Sequence, residues 1–489
     1  MRRSPLPAAA ALLAFFGVAA AGADPATPER AKQIESLYAA YLSQAAIDKG
    51  VVAVAPQGED YLVTWDLQKA IAAAGGPPDV VKMAPFVYRM TPTVGGGWLT
   101  KASGLPTLTI GPTGQDGREG GVIAFDGFNF DSLFDPAATD FWRGKLGLAA
   151  LKADVTAHTR VDLQHMKITE TGVAGEMRVK PGEDADSVDI SLTQTVEAAS
   201  QVTAAAGSDD AGQSEASELR QGGAVGESSM TGLKAAAFGE LWRFLIAHAD
   251  ETAPAPDTLK PKMEALLPLW REMKSQIALN QIAIAFPGGG LTIKSLGQEL
   301  KLSGLAAQSS AEIALAVRDF ALDIEAAPDW AKAAWPASLQ LRISAGVDGL
   351  DHAARLALDD PEFLKSGALG DETIGAMTRE FTQGHPHVTI SETRLSTPLV
   401  EATVEGRAEF GADGAEAHAK VTANDLDKVL ELLAKVSEEQ PDARQALFVA
   451  TFIKGLAKQE DGHLVWDIEY APPNAVIVNG QKLGGTDAP

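Results

Sequence analysis

Cysteine is absent from all 489 residues, which excludes disulfides, thiolate nucleophiles and cysteine-ligated metals. Stability must therefore come from burial. Histidine is scarce, at 8 residues, and 41 Lys+Arg stand against 65 Asp+Glu, for a formal net charge of −24. A surface of that sign repels nucleic acid, so no nucleic-acid partner is expected. The acids are spread along the chain instead of forming a tail, which is the pattern of a solvated acidic surface. After Asp24 no apolar run approaches the roughly 20 residues a membrane helix needs. No transmembrane segment is expected in the mature chain.

Motifs for phosphate binding and acyl transfer are lacking as well. Gly95-Gly96-Gly97 and Gly288-Gly289-Gly290 precede neither a P-loop lysine nor a helix signal, and turn glycines between strands explain them. Gly226-Glu227-Ser228-Ser229-Met230 lacks the closing glycine of a nucleophile elbow. Asp184, Asp186 and Asp189 have the look of a calcium loop, but Asp189 stands where an EF-hand needs glycine and Thr195 where it needs glutamate. Asp126-Gly127-Phe128-Asn129-Phe130-Asp131 reads as a turn with exposed acids and packed phenylalanines. Gly384-His385-Pro386-His387 offers two imidazoles but no third ligand in sequence. Asp351-His352 reads as local charge at a turn, because adjacent residues of a strand face opposite sides. No catalytic, cofactor-binding or metal-ligating residue is assigned, and no cofactor is expected.

What is present begins with Arg2 and Arg3, an apolar run from Ala8 to Val18, and the small triplet Ala21-Gly22-Ala23. That is the pattern of a secretory signal peptide over residues 1–23, cleaved near Ala23. The expectation is a periplasmic or exported protein, remote from ATP and nicotinamide pools. Loss of the two arginines takes its formal charge from −24 to −26. No cysteine follows the cleavage site, which excludes attachment through a lipidated cysteine.

The mature chain opens with a helix signal. Thr27 is placed to cap it, Pro28 suits its first position, and Ile34, Leu37, Tyr38, Tyr41 and Leu42 form a stripe. Period-two runs then dominate. Val188, Ile190, Leu192 and Val196 alternate with polar residues, as do Leu339, Leu341, Ile343 and Val347, and Val400, Ala402, Val404, Ala408 and Phe410. Strands with one apolar and one wet face belong to antiparallel sheet. Helical stripes recur at Phe238, Leu241, Trp242, Leu245 and Ile246, at Met263, Leu266, Leu267 and Trp270, in a run after Asn424 as cap, and in another started by Pro441. The expected fold class is α+β, mainly β: large curved antiparallel sheets with several amphipathic helices packed on the apolar face.

An Ala, Ser, Gly and acid-rich tract at 201–232, bare of apolar anchors from Gly207 to Gln213, reads as flexible. With Ala253-Pro254-Ala255-Pro256 it reads either as a division between an N-terminal helix and antiparallel β part, 24–200, and a C-terminal β part with helices, 233–489, or as a long surface excursion from one continuous sheet. No fixed-period repeat is present; Trp65-Asp66-Leu67 and Trp466-Asp467-Ile468 echo one another over three residues only.

In the C-terminal part a strand from Val400 to Phe410, the turn Gly411-Ala412-Asp413-Gly414, a strand through Ala417, Ala419 and Val421, a leucine helix, and Gly462 to Ile468 with Val476 to Gln481 follow in order. This pattern over residues 260 to 480 resembles the closing segments of uncharacterised periplasmic proteins of the YdgA-like and AsmA-like kind. The resemblance implies a curved antiparallel sheet with an apolar inner surface, associated with the cell envelope and with lipids. It carries over no site residues, and the chain departs from AsmA-like proteins in having no uncleaved membrane anchor.

Three functions follow as expectations. The first is a non-catalytic envelope protein that binds a lipid or other apolar ligand along the concave face of its sheet. The second is a structural or protein-interaction module of the envelope, with an envelope protein as partner and no ligand. The third is an envelope hydrolase with spatially assembled carboxylates.

Overall fold

The computed structural model describes residues 25–73, 80–113, 119–158, 163–205, 216–248, 256–411, 414–424, 426–438, 440–472 and 475–484. Its residues are 53% strand and 26% helix, and the pairings described below are all antiparallel. The leader residues, and Gly207 to Gln213 of the tract expected to be flexible, lie outside the described residues. The chain divides into two compact units. Unit 1 is Met1–Glu272 with Leu358–Ala368, and unit 2 is Met273–Ala357 with Leu369–Pro489.

Unit 1 begins with α1 (Pro28–Leu42), where the Thr27 hydroxyl accepts from the Arg30 N–H as the capping pattern requires, then α2 (Gln44–Asp48). There follow β1 (Val52–Gln57), β2 (Asp60–Trp65), α3 (Leu67–Ala73), β3 (Val81–Met83), β4 (Phe86–Pro92), β5 (Trp98–Ser103), β6 (Leu108–Thr113), β7 (Glu119–Asp126) and β8 (Asn129–Phe134). Two long strands come next, β9 (Trp142–His158) and β10 (Leu163–Pro181), then β11 (Val188–Val196), β12 (Ala198–Ala205), β13 (Ser217–Gln221) and β14 (Gly223–Leu233). Helices α4 (Ala235–Ala247) and α5 (Pro256–Glu264) close this run.

The core of unit 1 follows from two periodicities meeting. Ala31, Ile34 and Tyr38 of α1 sit on one helical stripe and pack on alternate residues of the strands: Val52 and Val54, Tyr61 and Val63, Tyr88 and Met90, Trp98, Trp142 and Val179. Ile34 is 1% exposed and Val63 0%. Each aliphatic side chain so buried contributes about 1.5–3 kcal/mol. β9 pairs along its whole length with β10, while its other edge takes β8 near Trp142 and β7 further on. β10 is shared in the same way between β11 and β12.

Within the tract from 201 to 232, residues 201–205, 217–221 and 223–232 are strand. β12, β13 and β14 pair through Val202 with Glu218 and Ile190 with Met230. Backbone ladders carried by Ser, Thr, Ala and Gly need few apolar anchors when a long neighbouring strand supplies the register. The first boundary between the two compact units falls between Glu272 and Met273.

Unit 2 contains β15 (Glu272–Phe286) from its second residue on, β16 (Gly289–Ser303), β17 (Gln308–Ile324), α6 (Asp329–Ala334) and β18 (Ser338–Asp348). Helix α7 (Leu350–Asp359) passes from unit 2 into the unit 1 segment that holds α8 (Pro361–Ser366). Unit 2 resumes with α9 (Asp371–Gln383), β19 (His387–Ser396), β20 (Glu401–Gly411), β21 (Gly414–Ala423), α10 (Asp427–Val436), α11 (Pro441–Leu456), β22 (Lys458–Glu460), β23 (His463–Ala471), β24 (Ala475–Val478) and β25 (Gln481–Gly484). Strands β16 to β21 pair each with the next, then β21 with β23, β23 with β24 and β24 with β25.

One local expectation is corrected. Asp351 and His352 lie in α7, not at a strand turn, because Leu350, Ala354 and Leu358 continue the chain with helical spacing. The Asn424 Oδ1, just before α10, accepts the Glu401 N–H at 2.9 Å and fixes the start of β20. No helix among the described residues is long and apolar enough to cross a membrane.

Candidate functional site: an apolar sheet face in unit 2

The register of unit 2 aligns the alternating apolar residues into lanes that run across the strands. One lane is Leu296, Val317, Leu339, Leu395, Ala402, Ala423 and Leu464, each opposite the next. A second is Leu300, Ile313, Ile343, Ile390, Gly406, Ala419, Ile468 and Val478. A third is Leu302, Ala311, Ala345, Val388, Ala408, Ala417, Tyr470 and Val476. None of the three contains a charged residue.

The opposite face is polar. Its central lane is Lys301, Glu312, Ser344, Thr389, Arg407, His418 and Glu469. Lys301 Nζ lies 3.3 Å from Glu299 and 3.4 Å from Glu312, and Arg342 lies 2.5 Å from Glu312. The Glu299 carboxyl is pushed up by partial burial but is drawn below its usual range overall by Gln276, Lys301 and Lys274. This face is satisfied by its own charges.

Among the described residues the lanes are fully buried at one end, while α9 also approaches β18 and β20. Ala423 and Val478 are buried there with Trp466, and Leu426 and Leu456, beside and at the end of the helical hairpin, pack against them. The Trp466 indole N–H donates to the Ile453 carbonyl at 2.7 Å and ties the sheet to α11. Every other lane residue keeps solvent exposure, with Ile313 at 50% and Leu395 at 37%. Singly exposed aliphatic residues are ordinary, but a contiguous apolar surface marks a site of interaction.

The motifs singled out in sequence are not brought together. Asp184 faces Arg271, Asp186 faces Lys234 and Asp189 faces Lys180, so the three acids serve three cations. His387 Nδ1 lies 3.1 Å from the His385 carbonyl. His352 Nε2 is 3.6 Å from Glu380. Ser228 and Ser229 lie within β14, Gly95-Gly96-Gly97 lies in the β4–β5 connection, and Gly288-Gly289-Gly290 runs from the β15–β16 turn into the start of β16. Asp126 and Asp131 are ion-paired with Lys152 and Lys101, while Phe128 and Phe130 pack against the core. Among the described residues no three His, Cys, Asp or Glu side chains gather as a metal site.

Unit 1 also holds a polar basin of about 640 Å3 over Lys145, Glu176, Arg178, Ser191, Thr193 and Thr195. Its charges pair internally, Glu176 with Arg178 at 2.7 Å and with Lys145 at 3.7 Å. The hydrogen bond from Arg178 holds the Glu176 carboxyl below its usual range, the opposite of what a general acid needs. The lanes were missed in sequence because a lane needs cross-strand register, which a bulge in β19 between Ile390 and Arg394 shifts on both of its ladders. The chain matches no protein-family model, no curated protein and no solved structure.

Proposed function

We propose that this protein is exported to the cell envelope and holds lipid acyl chains, without catalysis, along the apolar face of β16 to β23. The observation that carries this reading is the set of three charge-free lanes across unit 2, whose described residues keep solvent exposure except at the α10–α11 end. Antiparallel strands of this length coil as they twist, and bulges bend them further, so one face becomes concave. An acyl chain laid along a lane replaces water on aliphatic side chains at about 25 cal/mol per Å2. The ion-paired opposite face stays in solvent. The leader-like residues 1–23 and the resemblance of residues 260–480 to envelope proteins agree with this reading.

Its test is native mass spectrometry, with organic extraction, of protein purified gently from its own envelope. A stoichiometric lipid that is lost in Ile343→Glu and Ile390→Glu variants with unchanged melting supports it, whereas a lipid-free monomer contradicts it.

A second reading, docking of an envelope protein partner, is favoured by one feature. Phe448, Val449, Phe452 and Ile453 form a stripe on α11 and are 72%, 45%, 52% and 43% exposed. Crosslinking in the envelope from Phe448 to a reproducible protein partner would support that reading.

A further inference from the structure

Unit 1 contains a cavity of about 420 Å3, within the range of about 300–1,000 Å3 usual for small-ligand sites. One side is apolar, formed by Phe134, Phe141, Pro181 and Val188. The other is one face of α4, where Ala235, Ala236, Gly239 and Arg243 line the space beside Tyr41 of α1. The helix is fixed there by the Trp242 indole N–H, which donates to the Tyr41 carbonyl at 3.0 Å.

Gly239 is a buried glycine in a helix interior, a choice that costs about 1 kcal/mol relative to alanine. A β-carbon there would have only the Tyr41 hydroxyl near it, at 3.8 Å. No packing clash therefore requires the glycine, and its absent side chain leaves the cavity open.

Two polar groups beside Gly239 have capacity to spare. Arg243 spends its Nε–H on the Gly239 carbonyl at 3.2 Å, and among the described residues no carboxylate pairs with its guanidinium. The Tyr41 hydroxyl makes no hydrogen bond among the described residues. The lining acid, Asp186, is neutralised by Lys234 at 3.1 Å. The charge left over at this cavity is positive, in a chain whose net charge is −24.

We infer that the cavity binds an amphiphilic carboxylate. Its apolar body lies against Phe134, Phe141, Pro181 and Val188, and its carboxylate accepts from the Arg243 guanidinium and the Tyr41 hydroxyl. A planar guanidinium fits a carboxylate bidentately, and such charge-assisted pairs are about twice as strong as neutral ones. This site lies wholly in unit 1 and does not depend on the sheet face of unit 2.

Calorimetric titration of the whole protein with decanoate, decanol and decyltrimethylammonium tests it. Decanoate binds with one-to-one stoichiometry and decyltrimethylammonium does not bind. Arg243→Gln weakens decanoate about ten- to a hundredfold, as expected for losing one charged hydrogen-bond partner, and leaves decanol unchanged. Tyr41→Phe weakens decanoate less. Gly239→Leu fills the cavity, blocks both ligands, and favours the helix, so loss of fold does not explain its effect. Ile343→Glu in unit 2 changes none of these titrations. The inference is overturned if decanoate does not bind, if Gly239→Leu leaves its binding intact, if Arg243→Gln preserves the preference for carboxylate over alcohol, or if Ile343→Glu removes binding.

Discussion

The hydroxyls of Tyr38 on α1 and Tyr88 on β4 meet at 2.5 Å inside the core of unit 1, at 4% and 8% exposure. The Trp65 indole N–H donates to the Tyr88 hydroxyl at 3.3 Å, so the apolar interior carries a short polar chain that joins helix to sheet. Burial pushes the Tyr88 phenol up to about 12, with the hydrogen bonds from Tyr38 and Trp65 opposing, and burial together with Tyr88 raises Tyr38 well above its usual value.

Alkaline stability follows from that pair. A phenol whose folded pKa is raised stabilises the fold fully below its unfolded value near 10, and that stability is lost as pH climbs through the folded value. Between pH 10 and 12 the Tyr88 shift alone corresponds to about 2–3 kcal/mol. Chemical denaturation across this window should show stability falling with pH in the wild type, with a smaller fall in Tyr38→Phe and Tyr88→Phe. Equal slopes in all three would disprove the coupling.

Two tryptophans give opposite expectations. Trp98 is 2% exposed and its indole N–H finds no partner among the described residues, whereas the Trp466 N–H is bonded to the Ile453 carbonyl. Trp98→Phe removes an unsatisfied buried donor, which offsets the space it leaves, and should change stability by less than about 1 kcal/mol. Trp466→Phe strands a carbonyl as well as leaving space, and should cost about 2–3 kcal/mol. Guanidinium unfolding curves of the two variants decide this, and a reversed order would refute it.

Asn479 holds the last hairpin. At φ 51° it sits in the left-handed region that asparagine tolerates better than most residues. Its Nδ2 donates to the Leu456 and Val465 carbonyls at 2.7 and 2.9 Å, and its Oδ1 accepts from the Asp467 N–H at 2.9 Å. Asn479→Ala loses all three bonds and meets backbone strain, for a cost of about 2–4 kcal/mol, and Asn479→Gly recovers about 1 kcal/mol of it by relieving the strain. Thermal melts that rank alanine at or above glycine would contradict this.

Legibility in the sequence followed the range of the interactions. Thr27 and Pro28 announced α1 because a cap acts within one turn, and the period-two runs at Val188, Leu339 and Val400 announced strands because alternation is local. Features that depend on distant partners were not legible. Asn424 stands just before the helical run that starts at Leu426, and nothing local shows that its Oδ1 also accepts from the Glu401 N–H, 23 residues away. The tract at 201–232 read as flexible because Gly207 to Gln213 lack apolar anchors; those residues lie outside the described ones, and on either side of them β12, β13 and β14 take their register from ladders with distant strands. The apolar face was foreseeable as alternation on each strand, but not as continuous lanes, since one residue of slip at the β19 bulge would break them.

Site-specific photocrosslinking tests the central claim most directly. A benzophenone side chain is placed at Ile313, in the central lane, and separately at its sequence neighbour Glu312, on the ion-paired face. Irradiation in the native envelope should add a phospholipid mass to the Ile313 protein and none to the Glu312 protein. Lipid adducts at both positions, or only protein adducts at Ile313, would contradict an acyl-chain site on this face.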